Sequence, residues 1–231
     1  MKILETFKSL AKNKNATIGI GLGELEDHNK KIYEGAVQFL KDFNSTVILF
    51  GNEKAIQHIK NSNSYNENIK RIEFSKSTTP EETIFNYLEN NLINAIVRGN
   101  LSSIKFLANL KKIFSISEIN RLTLLETFDG IQFFYGPVGI DECNSINDKI
   151  SFVQKAIKQF TSLKIDPNVS ILSGGRLGDR GRDSRVDESI NIADEVVKSL
   201  SLEFSNILIR HDEILLYLRR DSEYFEVISV Y

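Results

Sequence analysis

The stretch Thr17-Ile18-Gly19-Ile20-Gly21, followed by Lys30 to Phe43 and then by Thr46-Val47-Ile48-Leu49-Phe50, decides the fold class. The first and third segments are short and apolar, as strands buried on both faces are. The middle segment puts Ile32, Ala36, Val37, Phe39 and Leu40 at helical spacing. Strand, helix, strand in this order is the pattern of a parallel crossover unit.

Working outward, the alternation continues. Glu53 to Ile59 fits a short helix, and Asn61–Asn68 a solvated loop. Thr79-Pro80-Glu81-Glu82 opens a helix to about Asn90, with Pro and two acids in the first turn where the dipole favours them. Ala95-Ile96-Val97 is a strand, and a helix follows over Leu101–Leu110. Arg121–Phe128 and Gly130–Tyr135, separated by Asp129-Gly130, form a hairpin candidate. Asn144–Leu163 and Ser184–Leu200 are amphipathic helices on either side of the buried strand Val169-Ser170-Ile171-Leu172. Ile207–Arg210, Ile214–Leu218 and Phe225–Tyr231 read as three strands or strand fragments. The expected fold is α/β with a mostly parallel sheet, as one large domain or two lobes sharing a sheet.

Composition sets the outer limits. The chain has 231 residues, 29 Lys and Arg, 31 Asp and Glu, and a net charge of −2. At about 150 residues per domain, that length allows one or two domains. With 41% apolar and 26% charged residues, it is not a disordered chain or a strongly basic nucleic-acid binder. No apolar run reaches the ~18 residues of a membrane span. Met1–Asn15 lacks the apolar core of a signal peptide, so a cytoplasmic protein is expected. The single cysteine, Cys143, excludes an internal disulfide and a thiolate metal cluster. Its acidic neighbours Asp141 and Glu142 disfavour a thiolate.

Ligands of parallel sheets sit beyond the carboxyl ends of the strands, and four segments there carry chemistry. Gly19-Ile20-Gly21-Leu22-Gly23-Glu24 could bring backbone amides, with Gly21 and Gly23, up to an anionic group; the alternative is a tight strand exit that needs small residues. Arg98, in Val97-Arg98-Gly99-Asn100, could offer its planar fork to a ligand or pair with a surface acid. Tyr135-Gly136-Pro137-Val138-Gly139-Ile140-Asp141-Glu142 is a sharply shaped loop. Its acids serve either catalysis or the start of the next helix.

The fourth segment is the richest. Leu172-Ser173-Gly174-Gly175-Arg176-Leu177-Gly178-Asp179-Arg180-Gly181-Arg182-Asp183-Ser184 holds four glycines, three arginines and two aspartates between a strand and a helix. Ser173, Gly174, Gly175, Arg176, Arg180 and Arg182 read as an anion cradle, because guanidinium matches phosphate or carboxylate oxygens and the helix start adds positive potential. The alternative is a loop whose arginines pair with Asp179, Asp183 and Asp187. Asp183 and Asp187 share a helix face and could hold Mg²⁺, although acids at a helix start need no metal. No metal site is expected.

Three of these segments, Ile96-Val97-Arg98-Gly99, Phe134–Glu142 and Leu172–Asp187, together resemble methanogenesis marker protein 4, a family also labelled methyltransferase-related protein MtxX. That family is similar to phosphate acetyl- and butyryltransferases and to the PlsX phosphate acyltransferase. The resemblance implies a three-layer α/β/α fold like that of isocitrate and isopropylmalate dehydrogenases, with two lobes around a cleft, over residues 1–231. It implies a methanogenesis-associated transferase for a small phosphorylated or acyl anion. Arg98, Arg176, Arg180 and Arg182 would bind anionic oxygens, and Asp141 or Asp179 would be the base. It also implies a homodimer and a role in a methanogenesis enzyme complex. The chain lacks the Asn-Asp-Leu-Ser-Arg-Gly motif of the transacetylases. A methyltransferase subunit using S-adenosylmethionine or a methyl carrier, and a non-catalytic assembly factor, are the alternatives. No cofactor is assigned.

Overall fold

The computed structural model describes residues 3–139, 141–213 and the backbone of 227–230. The chain forms two compact units, Glu5–Ser117 and Met1–Leu4 with Glu118–Tyr231, called here the N-terminal and C-terminal units.

In the N-terminal unit, β1 (Thr17–Gly21), β2 (Thr46–Gly51), β3 (Ile72–Lys76) and β4 (Ala95–Val97) form one sheet in the order β3-β2-β1-β4, and every pairing is parallel. Strand β2 shows why its sequence is continuously apolar. Val47 and Leu49 pack with Tyr33, Ala36 and Leu40 of α2 (Glu26–Asp42) and with Ile56 and Ile59 of α3 (Glu53–Lys60). Ile48 and Phe50 pack on the opposite face with Ile84 and Phe85 of α4 (Pro80–Glu89) and Phe106 of α5 (Ser103–Phe114). Alternate side chains thus feed two cores, and helices cover both faces. Arg71 closes the end of α2, donating to the carbonyls of Leu40 at 2.5 Å and Phe43 at 2.7 Å.

In the C-terminal unit the sheet order is β5-β6-β9-β7-β8. β5 (Thr123–Glu126) and β6 (Gln132–Gly136) form the expected antiparallel hairpin, with Gly130 in the left-handed region at φ +80° where a side chain would strain the turn. β6, β9 (Val227–Val230), β7 (Asn168–Ser173) and β8 (Ile209–Glu213) are parallel. α6 (Ile146–Ser162) starts on a capping box in which Ser145 and Asp148 satisfy each other's backbone N–H. Its Phe152, Val153 and Ala156 join Ala193 and Val196 of α7 (Ser184–Glu203), and Val169 and Ile171 of β7, in a single core.

The α/β class and the mostly parallel pairing are as expected. Two elements lie outside the sequence expectations. One is α1 (Ile3–Ala11), whose Leu4 N–H donates to Gln132 Oε1 at 2.9 Å. The other is β3, a short edge strand whose Glu73 and Lys76 blur the apolar pattern. The last strands differ in extent. Ile207–Arg210 becomes β8, shifted two residues onward, and Phe225–Tyr231 contains β9, while Ile214–Leu218 lies outside the described residues. Among the described residues, no helix is long and apolar enough to cross a membrane.

Cys143 belongs to the C-terminal core, and burial, aided by Glu142 and Asp148, pushes its thiol up to about 11. A folded sample at pH 8 is therefore expected to resist modification by a disulfide reagent and to react with one equivalent once unfolded in guanidinium. Rapid labelling of the folded chain would contradict the burial.

Candidate functional site

Each sheet reverses its strand order at one place. In the N-terminal unit the chain moves outward from β1 to β3 and then returns to add β4 beside β1. In the C-terminal unit it passes from β7 to β8 and returns to insert β9 beside β7. Adjoining loops leave such a point on opposite sides of a parallel sheet, so it is where a crevice forms. Gly21, Gly23 and Arg98 lie at the first reversal, and Ser173 to Arg182 at the second.

The first reversal is closed. Asn100 N–H donates to Gly21 O at 3.0 Å, and a Cβ on Gly23 would lie 1.9 Å from Asn100 O. A Cβ on Gly21 would meet the Leu101 side chain at 2.2 Å and Arg98 O at 2.7 Å, so the loop after β4 requires glycine at both 21 and 23. Asn29 of α2 holds the arrangement from beneath. It is fully buried, accepts from Gly23 N–H and Asn100 Nδ2 at 3.0 Å each, and donates to Gly23 O at 2.8 Å. Arg98 turns back on its own loop, donating to Leu101 O at 2.7 Å.

The second reversal is built of charge. After β7, Ser173 is buried and its hydroxyl donates to Gly175 O, while Gly174 N–H donates to Ser189 Oγ, each at 2.8 Å. A Cβ on Gly175 would collide with Val186 at 2.4 Å, so this turn lies flat on the start of α7. A 3₁₀ turn, Leu177–Asp179, follows. Arg176 grips Asp179 with both Nε and Nη2, at 2.9 and 3.3 Å, and Arg182 reaches the same carboxylate at 2.7 Å. Arg180 reaches farther along α7, to Asn191 at 2.7 Å and Asp194 at 2.6 Å. Asp183 caps α7 and pairs with Arg185, and Asp187 accepts from Gly181 N–H at 2.8 Å. Asp183 and Asp187 thus have separate partners, and among the described residues no group of three acids, histidines or cysteines could hold a metal.

The arginines are paired yet accessible. The side chains of Arg176 and Arg182 are 56% and 71% exposed. The Arg176 guanidinium, with Arg182 beside it, holds the Asp179 carboxyl below the usual aspartate range. A carboxylate held this way is a weaker proton acceptor. Asp141 is exposed and lies 3.6 Å from Arg121. Its neighbour Glu142 is buried and forms the main partner of Arg121, accepting from its Nε and, at 3.1 Å, from its backbone N–H. Asp141 and Asp179 therefore answer to different arginines.

Sequence reasoning did not single out Asn29, Ser189, Asp194 or His211. His211, buried on β8, binds Asp194 through Nδ1 at 2.7 Å, so one carboxylate holds both an imidazole and the Arg180 guanidinium. Only the partner geometry reveals these residues, because each sits among other polar residues in an ordinary helix or strand.

No protein-family model matches the chain. Curated relatives do. A Methanosarcina mazei protein named "Putative methyltransferase mtx subunit X" is 34% identical over 188 residues, which is 81% of this chain and 63% of that protein. The protein of the same name from Methanosarcina acetivorans is 32% identical over the same shares. The chain is a homologue of the mtx subunit X proteins. It spans less than two thirds of their length. Among solved structures, a branched-chain phosphotransacylase from Enterococcus faecalis is similar with a TM-score of 0.62, over 93% of this chain and 79% of that one, at 14% identity. A phosphotransacetylase from Streptococcus pyogenes gives 0.61 over 100% and 82%, at 12% identity. At such identities the shared property is the fold, which is the fold the family resemblance implied.

Two outcomes follow from this geometry. Asn29→Ala would strand the N–H and carbonyl of Gly23, and should cost ~1–3 kcal/mol in urea unfolding; a neutral substitution would remove Asn29 as the brace. Asp179 should titrate below an ordinary aspartate in carboxyl ¹³C NMR, and Arg176→Ala should move its midpoint upward. The stability linked to this carboxylate is present above its unfolded titration range and is lost as the pH falls through the folded one.

Proposed function

We propose that the chain is a methanogenesis-associated transferase of the phosphate acyltransferase type, which receives a small phosphorylated or acyl anion on the loop Ser173–Ser184. The observation that carries this reading is the convergence of Arg176 and Arg182 on Asp179. Two exposed guanidiniums already gathered around one carboxylate need only exchange it for phosphate oxygens, which they match bidentately. The N-terminus of α7 and the amides of the flat turn after β7 add positive potential at the same place. The phosphotransacylase fold and the mtx relatives support a transferase of this setting.

In this reading Arg176, Arg180 and Arg182 bind anionic oxygens and stabilise charge that develops during transfer. Asp141 or Asp179 serves as the base, and the arginines weaken Asp179 as a proton acceptor. The protein works in the cytoplasm of an archaeal cell, as a homodimer, within a methanogenesis enzyme complex. The relatives' names support a second reading, a methyltransferase subunit that binds S-adenosylmethionine or a methyl carrier.

Thermal-shift and calorimetric titrations separate the two. Phosphate and acetyl phosphate should stabilise the chain, by about 2.7 kcal/mol at a hundredfold excess over Kd. Arg176→Ala or Arg180→Ala should weaken that binding at least tenfold. Stabilisation by S-adenosylmethionine alone would replace the first reading with the second, and phosphate binding unchanged in both variants would remove the loop as the anion site.

A further inference from the structure

A cavity of about 220 Å³ opens in the C-terminal unit between α6 and α7, at the carboxyl end of β7. Its depth is aliphatic, formed by Ile171, Ile192 and Ala193. Its polar groups are Lys149 from α6, and Arg185, Glu188 and Ser189 from α7. The space equals about seven water volumes, enough for a molecule of about seven or eight non-hydrogen atoms. We infer that this pocket binds a small branched aliphatic carboxylic acid carrying a hydrogen-bond donor on its α-carbon, a 2-amino or 2-hydroxy acid.

Each part of the lining selects one part of that ligand. The aliphatic floor takes the branched chain, whose transfer out of water supplies the driving force. Lys149 supplies a cationic donor for the carboxylate, and Arg185, which already holds Asp183 through Nε and Nη2, offers its remaining Nη1. Glu188 would repel a plain fatty acid. Its carboxylate forms no ion pair or hydrogen bond of its own among the described residues, and so accepts from an α-ammonium or α-hydroxyl group. Lys149 is half-buried, and burial draws its ammonium below the usual lysine range. Ser189 joins the pocket to the loop after β7 by accepting from Gly174 N–H. The inference goes beyond the proposed transferase reading and stands without it.

The test is a titration of the 231-residue chain, with its isoleucine methyl groups ¹³C-labelled, by L-valine, 2-hydroxy-3-methylbutanoate and 3-methylbutanoate, all in phosphate-free buffer. The methyl signals of Ile171 and Ile192 should shift saturably with L-valine, the hydroxy acid or both, which tells the amine donor from the hydroxyl. 3-Methylbutanoate, which lacks the donor, should bind at least tenfold more weakly. Lys149→Met should weaken the α-substituted acids at least tenfold, and Glu188→Gln should bring 3-methylbutanoate within a few fold of them. Absence of a saturable shift in the unmodified protein, or equal binding of all three acids, would overturn the inference. Because phosphate is absent here and valine is absent from the phosphate titration, either reading can fail while the other survives.

Discussion

A parallel strand reaches its neighbour only through a crossover, and a sheet built of crossovers must change direction somewhere to keep both faces covered. Where it turns, the carboxyl ends of two adjacent strands shed their loops apart, and backbone groups there must be satisfied by something other than the sheet. Both units of this chain face that constraint, and they resolve it with different chemistry. In the N-terminal unit the loops after β1 and β4 close on one another, with Asn29 supplying the hydrogen bonds that a ligand could otherwise provide. In the C-terminal unit the loop after β7 stays at the surface and fills with ion pairs.

Those ion pairs set the terms for any ligand. Surface pairs contribute little to stability, so an anion that displaces Asp179 from Arg176 or Arg182 gives up little folding energy. The competing carboxylate also raises the threshold for binding, since only an anion with better geometry or more charge than Asp179 can take its place. Phosphate dianion meets that condition better than a simple carboxylate does. Arg180 is different. Its partner Asp194 also holds the buried His211, and freeing that guanidinium would disturb an imidazole inside the sheet–helix layer. Arg176 and Arg182 therefore exchange partners at the lowest cost, and Arg180 at a higher one.

The pattern of short apolar runs and amphipathic helices made most of the architecture legible. β1, α2 and β2 stand where periodicity put them, as do the β5–β6 hairpin, α6, β7 and α7. β3 escaped because an edge strand is wetted along one side, so Glu73 and Lys76 interrupt the apolar run that marks a central strand. The arginine-rich loop was equally visible, and both of the pairings weighed for it, with an anion and with its own aspartates, remained open on composition alone. In the structure the aspartates are engaged, but two of the partners, Asn191 and Asp194, lie eleven and fourteen residues from Arg180 on a helix that reads as ordinary.

By itself the sequence determined which segments are strands and helices, that the pairing is mostly parallel, and that charge is concentrated after β7. These depend on local periodicity and on burial, which the order of residues encodes directly. Only the tertiary structure decided that the chain divides its strands between two sheets, that Gly21 and Gly23 are pressed against the loop Arg98–Leu101, and that one carboxylate on α7 joins His211 to Arg180. Those facts are contacts between residues far apart in the chain. Nothing in the local pattern distinguishes a glycine that makes room for a ligand from one that makes room for another strand's loop, because the steric demand on the backbone is the same.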